Sequence, residues 1–197
     1  MRTDGGAEET AGEGAQAPAR RFPVLPVALL ALGIGGLLWS GIQEARRARP
    51  AQSGERLAPP FELEKFGGGS VRSSELRGKV VMLGFWATWC GPCIAEMPTL
   101  LKLAAEYEPR GVVFLAASRD DPSVAKVQVG MFIDQRAPAL ARHAAFADDG
   151  TADAYAVSAI PTMVFIDRRG QLLASYLGAA SERTWRARID AVLAKDG

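Results

Sequence analysis

Residues 80–98 read V-V-M-L-G-F-W-A-T-W-C-G-P-C-I-A-E-M-P, and no other stretch constrains the chain as tightly. The near-continuous apolar run after Lys79 suits a central strand buried on both faces. After Pro92 the spacing turns helical. Ile94, Met97, Leu100, Leu101, Ala104 and Ala105 fall on one stripe, with Lys102, Glu106 and Glu108 off it. Pro98 falls inside this helix and should kink it. Cys90 and Cys93, the only two cysteines of the chain, stand at the junction of strand and helix. A bridge between them would enclose only Gly91 and Pro92. The stabilisation a disulfide gives through chain entropy grows with the loop it closes, so a structural staple is the weaker reading. A working dithiol/disulfide is the stronger one.

The junction also supplies reactivity. A cysteine at the first turn of a helix meets unpaired backbone N–H groups and the positive end of the helix dipole. Both stabilise the thiolate, which is the nucleophilic form. Cys90 occupies that place, and Cys93, one turn deeper, is the more buried of the two. The expected cycle has Cys90 attack a substrate disulfide and Cys93 displace the reduced product, leaving an oxidised Cys90–Cys93 pair.

The flanking sequence reads as one α/β domain of mixed sheet. F-E-L at 61–63 alternates like a short strand, F-G-G-G-S at 66–70 gives a turn, and a second short strand follows at Val71. Ser73 or Ser74 caps a single helical turn. V-V-F-L-A-A-S at 112–118 is another buried strand, so strand, helix and strand form a βαβ unit that needs a parallel pairing. D-D-P-S at 120–123 reads as a helix start running to about Arg136. A short strand is expected at 144–147 and a short helix at 152–155. The strand T-M-V-F-I at 162–166 pairs back with 172–176, and a final helix over 182–194 faces the sheet through Trp185, Ile189, Val192 and Leu193. A-I-P-T at 159–162 puts Pro161 at the head of an internal strand, where a residue that cannot donate to the ladder needs a reason.

Composition narrows the function classes. With 23 Lys+Arg against 22 Asp+Glu in 197 residues the formal charge is +1, which favours neither nucleic acid nor an acidic partner. Two cysteines and the single histidine, His143, cannot build a zinc site of four cysteines, nor one of two cysteines and two histidines. No metal or other cofactor is expected, and His143 reads as an ordinary loop or strand residue.

Ahead of the domain, residues 1–21 have the composition of a disordered tail. Residues 22–43 carry no charged side chain and are long enough, at about 1.5 Å per residue, to cross a bilayer core of about 30 Å. The run is longer than the apolar part of a cleaved signal peptide, so an uncleaved transmembrane anchor is the expectation. Residues 44–57 read as a flexible linker, and 58–197 as the domain. Arg46, Arg47 and Arg49 follow the span more closely than Arg20 and Arg21 precede it, so the positive-inside rule taken alone leans toward a cytoplasmic domain.

W-C-G-P-C between a buried strand and a helix, a proline five residues after the second cysteine, and I-P-T before a later strand resemble the thioredoxin superfamily. More narrowly, A-P-P-F-E-L, the 78–98 block, Y-A-V-S-A-I-P-T-M-V-F-I-D and a trailing R-G resemble the membrane-anchored TlpA/ResA-like thiol–disulfide oxidoreductases. The resemblance covers roughly residues 58–195. It implies a thioredoxin-like α/β fold with a β-hairpin extension at its amino-terminal end. It makes Cys90 the nucleophile, Cys93 the resolving thiol, Pro161 a cis-proline, and Trp89 part of an exposed rim. Gly91, Pro92, Ile160 and Pro161 complete the substrate-binding set, with the Ile160 backbone free to pair with an extended substrate segment. The implied partners are disulfide-containing proteins, for example cysteines readied for haem attachment, and an upstream membrane thiol reductant. The implied place is the outer face of a bacterial inner membrane.

One departure opens the proton-transfer step. Cytosolic thioredoxins carry a buried Asp at the position of Gly84, and Gly84 can neither accept a proton from Cys93 nor donate a side-chain hydrogen bond. Glu96, one turn after Cys93, is a candidate acceptor; an acid favoured by the helix dipole is the other reading of it. Two further functions compete. Peroxiredoxins share the fold but need Thr and Pro at places that here hold Ala87 and Leu83. A non-enzymatic module, in which the dithiol holds a soft metal ion or serves redox regulation, is the third reading.

Overall fold

Residues 56–195 are described by the computed structural model of the chain. A hairpin opens the domain: β1 (Glu62–Lys65) and β2 (Ser70–Arg72) pair antiparallel around a turn in which Gly68 and Gly69 take left-handed φ of 91° and 71°. Glycine holds that region without steric cost. Then come β3 (Val80–Trp86), α1 (Gly91–Tyr107) and β4 (Val112–Ser118), the expected βαβ unit with β3 and β4 parallel. The chain continues through α2 (Ala125–Arg136), β5 (Ala144–Phe146), α3 (Asp149–Ala154), β6 (Thr162–Ile166), β7 (Leu172–Leu177) and α4 (Glu182–Lys195). The seven strands lie in the order β2-β1-β5-β4-β3-β6-β7, with β6 antiparallel to both neighbours, so the sheet is mixed as expected.

All seven residues of β3 are buried. Val80, Met82 and Trp86 face Leu103 of α1, Phe132 of α2, and Trp185 and Ile189 of α4. Val81, Leu83 and Phe85 face the opposite side, with Phe61, Tyr155 and Ala152 of α3. Strand alternation buried on both sides is what the unbroken apolar run encodes. This strand ends directly at the cysteines.

Three local expectations are corrected. The buried stripe of α1 is Cys93, Glu96, Met97, Leu100, Leu103, Ala104 and Tyr107, while Ala105 is exposed. Apolar periodicity alone leaves out the buried carboxylate that belongs to this stripe. The helix that D-D-P-S was expected to start begins only at Ala125, with no side-chain cap. Asp120 turns instead into the domain, and Asp121 accepts from the N–H and hydroxyl of Ser123 in a local turn. The third short helix starts earlier than expected, at Asp149, because Asp148 caps it by accepting the Thr151 N–H at 2.7 Å. The last helix matches, with Trp185, Ile189, Val192 and Leu193 buried.

The tail expected at 1–21, the span at 22–43 and most of the linker at 44–57 lie outside the described residues. At its carboxy-terminal end that linker meets the domain, with Leu57 bridged to Gln171 and the Arg56 carbonyl accepting the Leu172 N–H. Among the described residues no helix is long and apolar enough to cross a membrane.

Candidate active site

Cys90 is the N-cap of α1, with extended backbone (φ −86°, ψ 98°), and Pro92 occupies the first turn. Pro suits that turn because its missing N–H is one that the helix could not pair anyway. The Cys90 sulfur accepts the Cys93 N–H at 3.3 Å and is joined to the Cys93 sulfur in a disulfide. The structure is therefore the oxidised form. An N-cap sulfur that takes a backbone N–H is held where a thiolate would be stabilised on reduction.

Two surroundings meet at this bond. On the outer side Trp89 is 69 % exposed, and Gly91 and Pro92 are exposed beside it. The Ile160–Pro161 peptide is cis. Pro161 is pinned through its carbonyl, which accepts the Gly178 N–H at 2.8 Å, and Thr162 closes the turn by donating its hydroxyl to the Ala159 carbonyl. Among the described residues the Ile160 N–H and C=O have no hydrogen-bond partner, so the backbone next to the proline is open for pairing.

On the inner side Cys93 is buried, and it shares a narrow internal cavity with Glu96, Gly84, Pro161 and Met163. Glu96 is 7 % exposed. Its Oε2 accepts two N–H groups, from the Ala180 backbone and from the Trp185 indole, each at 3.1 Å. Burial pushes its carboxyl above the usual carboxylate range, and the two donors together with the Arg188 charge pull against that shift. The absent side chain at Gly84 leaves no space: a Cβ there would come 3.0 Å from Met163 Cε and 3.2 Å from Phe114 Cε2. Met163 and Phe114 fill the room that an acidic side chain would need, and Glu96 is the ionisable group that lines the cavity with Cys93.

The sequence reading missed the residue that holds the loop before the cysteines. Asp120, 4 % exposed, accepts the Thr88 N–H with both oxygens at 3.1 Å, the Thr88 hydroxyl at 2.6 Å and the Ser118 hydroxyl at 2.8 Å. Thr88 lies two residues before Cys90, so this cluster ties the end of β4 to the approach of the nucleophile. No local pattern could reveal it, since the partners are 32 residues apart. His143 takes no part; it packs on Phe114, and its Nδ1 lies 3.1 Å from the Phe114 carbonyl oxygen.

The AhpC/TSA family profile matches residues 55–176. The chain is 31 % identical over 159 residues to the thiol–disulfide oxidoreductase ResA of Halalkalibacterium halodurans, covering 80 % of this chain and 85 % of that protein. It is 39 % identical over 120 residues to the ResA of Oceanobacillus iheyensis, covering 58 % and 60 %. Among solved structures, a Chlorobium tepidum protein described as a DsbE thiol:disulfide interchange protein superposes with a TM-score of 0.64 at 32 % identity, over 73 % of this chain and 99 % of that one.

Proposed function

The chain belongs to the thioredoxin-like AhpC/TSA family and is a thiol–disulfide oxidoreductase of the ResA/DsbE type, and on that premise we propose that it reduces protein disulfides outside the cytoplasm. Residues 22–43 anchor it as a single span in a bacterial inner membrane, and its substrates include cysteines readied for haem attachment in cytochrome c maturation. The observation that carries the chemistry is the Cys90–Cys93 disulfide at the amino end of α1, beside the open backbone of Ile160 and Pro161.

The cycle starts from the reduced dithiol. The Cys90 thiolate attacks one sulfur of a substrate disulfide, forming a mixed disulfide and releasing the other substrate sulfur as a thiolate. Trp89, Gly91 and Pro92 form the rim against which the substrate rests, and the Ile160 backbone pairs with its extended segment. Cys93 then gives its proton to the Glu96 carboxylate and attacks the Cys90 sulfur. The second substrate thiolate leaves, and the Cys90–Cys93 bond closes. Two electrons have passed to the substrate, and an upstream membrane dithiol returns them. A carboxyl raised by burial suits this step, because an acceptor whose pKa approaches the working pH takes a proton most effectively.

Turnover of insulin disulfides by the full-length chain with dithiothreitol tests the reading. Wild type is expected to turn over and Cys90→Ser to be inactive, while Cys93→Ser should accumulate the mixed disulfide. A Cys90→Ser chain that still reduces insulin would sink it.

A further inference from the structure

The charged side chains of α4 divide into two sets. Arg186 pairs with Glu106 and Glu182, and Asp190 with Arg110, in ion pairs spread over the surface between α1 and α4. Arg188 joins none of them. Its guanidinium lies 3.9 Å from the centroid of the Tyr176 ring and 4.5 Å from that of Trp185, and its Nη1 is buried with no hydrogen-bond acceptor among the described residues. Burying part of a guanidinium away from carboxylate or carbonyl oxygen is costly. Ring faces repay part of that cost through their quadrupoles.

The placement has a direction. The indole that carries Arg188 on its face is the one whose N–H donates to Glu96 Oε2. A cation over the ring draws electron density from it and makes its N–H a stronger donor. The same positive charge also acts through a dry interior, where electrostatic effects are screened less than at a surface. We propose that Arg188 is a positioning residue for the proton-transfer half of the reaction: from the face of the Trp185 indole it holds the buried Glu96 carboxylate in its charged, proton-accepting form. This rests on Glu96 being the acceptor for Cys93.

The other groups around the carboxylate leave this task to Arg188. Trp185 and the Ala180 N–H supply neutral donors, and Tyr176 of β7 lies on the ring face of Arg188 rather than on Glu96. Cys93 of α1 shares the cavity, and β3 and β6 bring Gly84 and Met163, which do not titrate. Arg188 is the cation that lowers the Glu96 carboxyl against its burial.

The test is a titration of the Glu96 carboxyl by NMR in the full-length chain carrying 13C-labelled glutamate, with Glu96→Gln used to assign the signal. In Arg188→Gln the midpoint is expected to rise by about half a pH unit or more, and Arg188→Lys should restore most of it. The pH at which Cys93 resolves a preformed mixed disulfide at half its full rate should rise with it. Arg188→Met, which keeps the stem over the rings, replaces the glutamine variant if that one does not fold. An unmoved Glu96 midpoint in the uncharged variants overturns the inference and leaves Glu96 as the acceptor. A Glu96→Gln chain that resolves mixed disulfides at the wild-type rate overturns the acceptor reading itself, and with it any part for Arg188.

Discussion

Cys90 and Cys93 belong to one disulfide on one helix, yet different physics serves each. Around Cys90 the useful groups are backbone: the free N–H groups of the first turn of α1, the Cys93 N–H on its sulfur, and the open Ile160 amide beyond. Side chains there, Trp89 above all, point to solvent. Around Cys93 the backbone is already paired within the helix, so side chains must supply the chemistry, and they come from α1, α4, β3 and β6. The difference teaches that a thiolate at a helix end can be activated by local structure, whereas a buried resolving thiol needs a proton acceptor that the tertiary fold assembles.

Breaking the inner side should therefore cost most. Glu96→Gln keeps an oxygen to accept the Trp185 and Ala180 N–H groups but cannot take a proton. The resolving step is expected to slow by about 10²–10³-fold, in the range of a lost general base, while the first attack by Cys90 keeps its rate. Stopped-flow kinetics on a preformed mixed disulfide separates the two steps. The pH dependence of stability carries a matching sign. Because the folded Glu96 carboxyl is raised above its unfolded value of about 4.3, the folded chain holds a proton that the unfolded one releases. That contribution is fully present below the unfolded pKa and is lost as pH rises through the folded pKa. Denaturation of Glu96→Gln should accordingly show stability gained over wild type as pH rises through that window.

Gly84→Asp sharpens the contrast from the strand side. It would place a carboxylate against Met163 and Phe114 in a strand buried on both faces. An unpaired buried charge together with overpacking predicts a loss of about 3 kcal/mol in urea unfolding. A variant as stable as the parent would mean that the cavity behind Cys93 can open to admit an acid, and that Gly84 is not what leaves the task to Glu96.

Asp120→Asn tests the frame between the two sides. One carboxylate oxygen becomes an NH2 that faces the N–H and hydroxyl donors of Thr88 and Ser118. Leaving such groups mismatched predicts a loss of about 1–2 kcal/mol, again read by urea unfolding. Turnover should fall only modestly, since the cysteines keep their helix.

What could be read in the sequence divides along the same line. The β3 run, the N-cap cysteine and the proline before β6 announce themselves because each is a pattern of neighbours, and neighbours are what a sequence displays. Trp185 and Ile189 are legible as a buried stripe, since helical period marks burial. The period does not say that the Trp185 N–H reaches Glu96, 89 residues away. Asp120 is misread for a physical reason: D-D-P-S has the form of a helix start, but the donors on Thr88 outcompete the helix for its carboxylate. Glu96 stays undecided in the sequence because an acid in the first turns of a helix is also favoured by the dipole, and only its burial beside Cys93 decides between the two readings.

The smallest expected effect lies at the outer rim. Trp89→Ala removes a side chain that is 69 % exposed, so stability should change by no more than about 0.5 kcal/mol. If the indole is a resting surface for protein substrates, its loss should raise KM for insulin about fivefold, roughly 1 kcal/mol of contact energy, with kcat unchanged. A small disulfide, which attack by Cys90 consumes without touching the rim, should react as fast as before. Equal losses on both substrates would mean that Trp89 shapes the reactivity of Cys90 itself, and the division between a backbone-activated outer sulfur and a side-chain-served inner one would no longer hold.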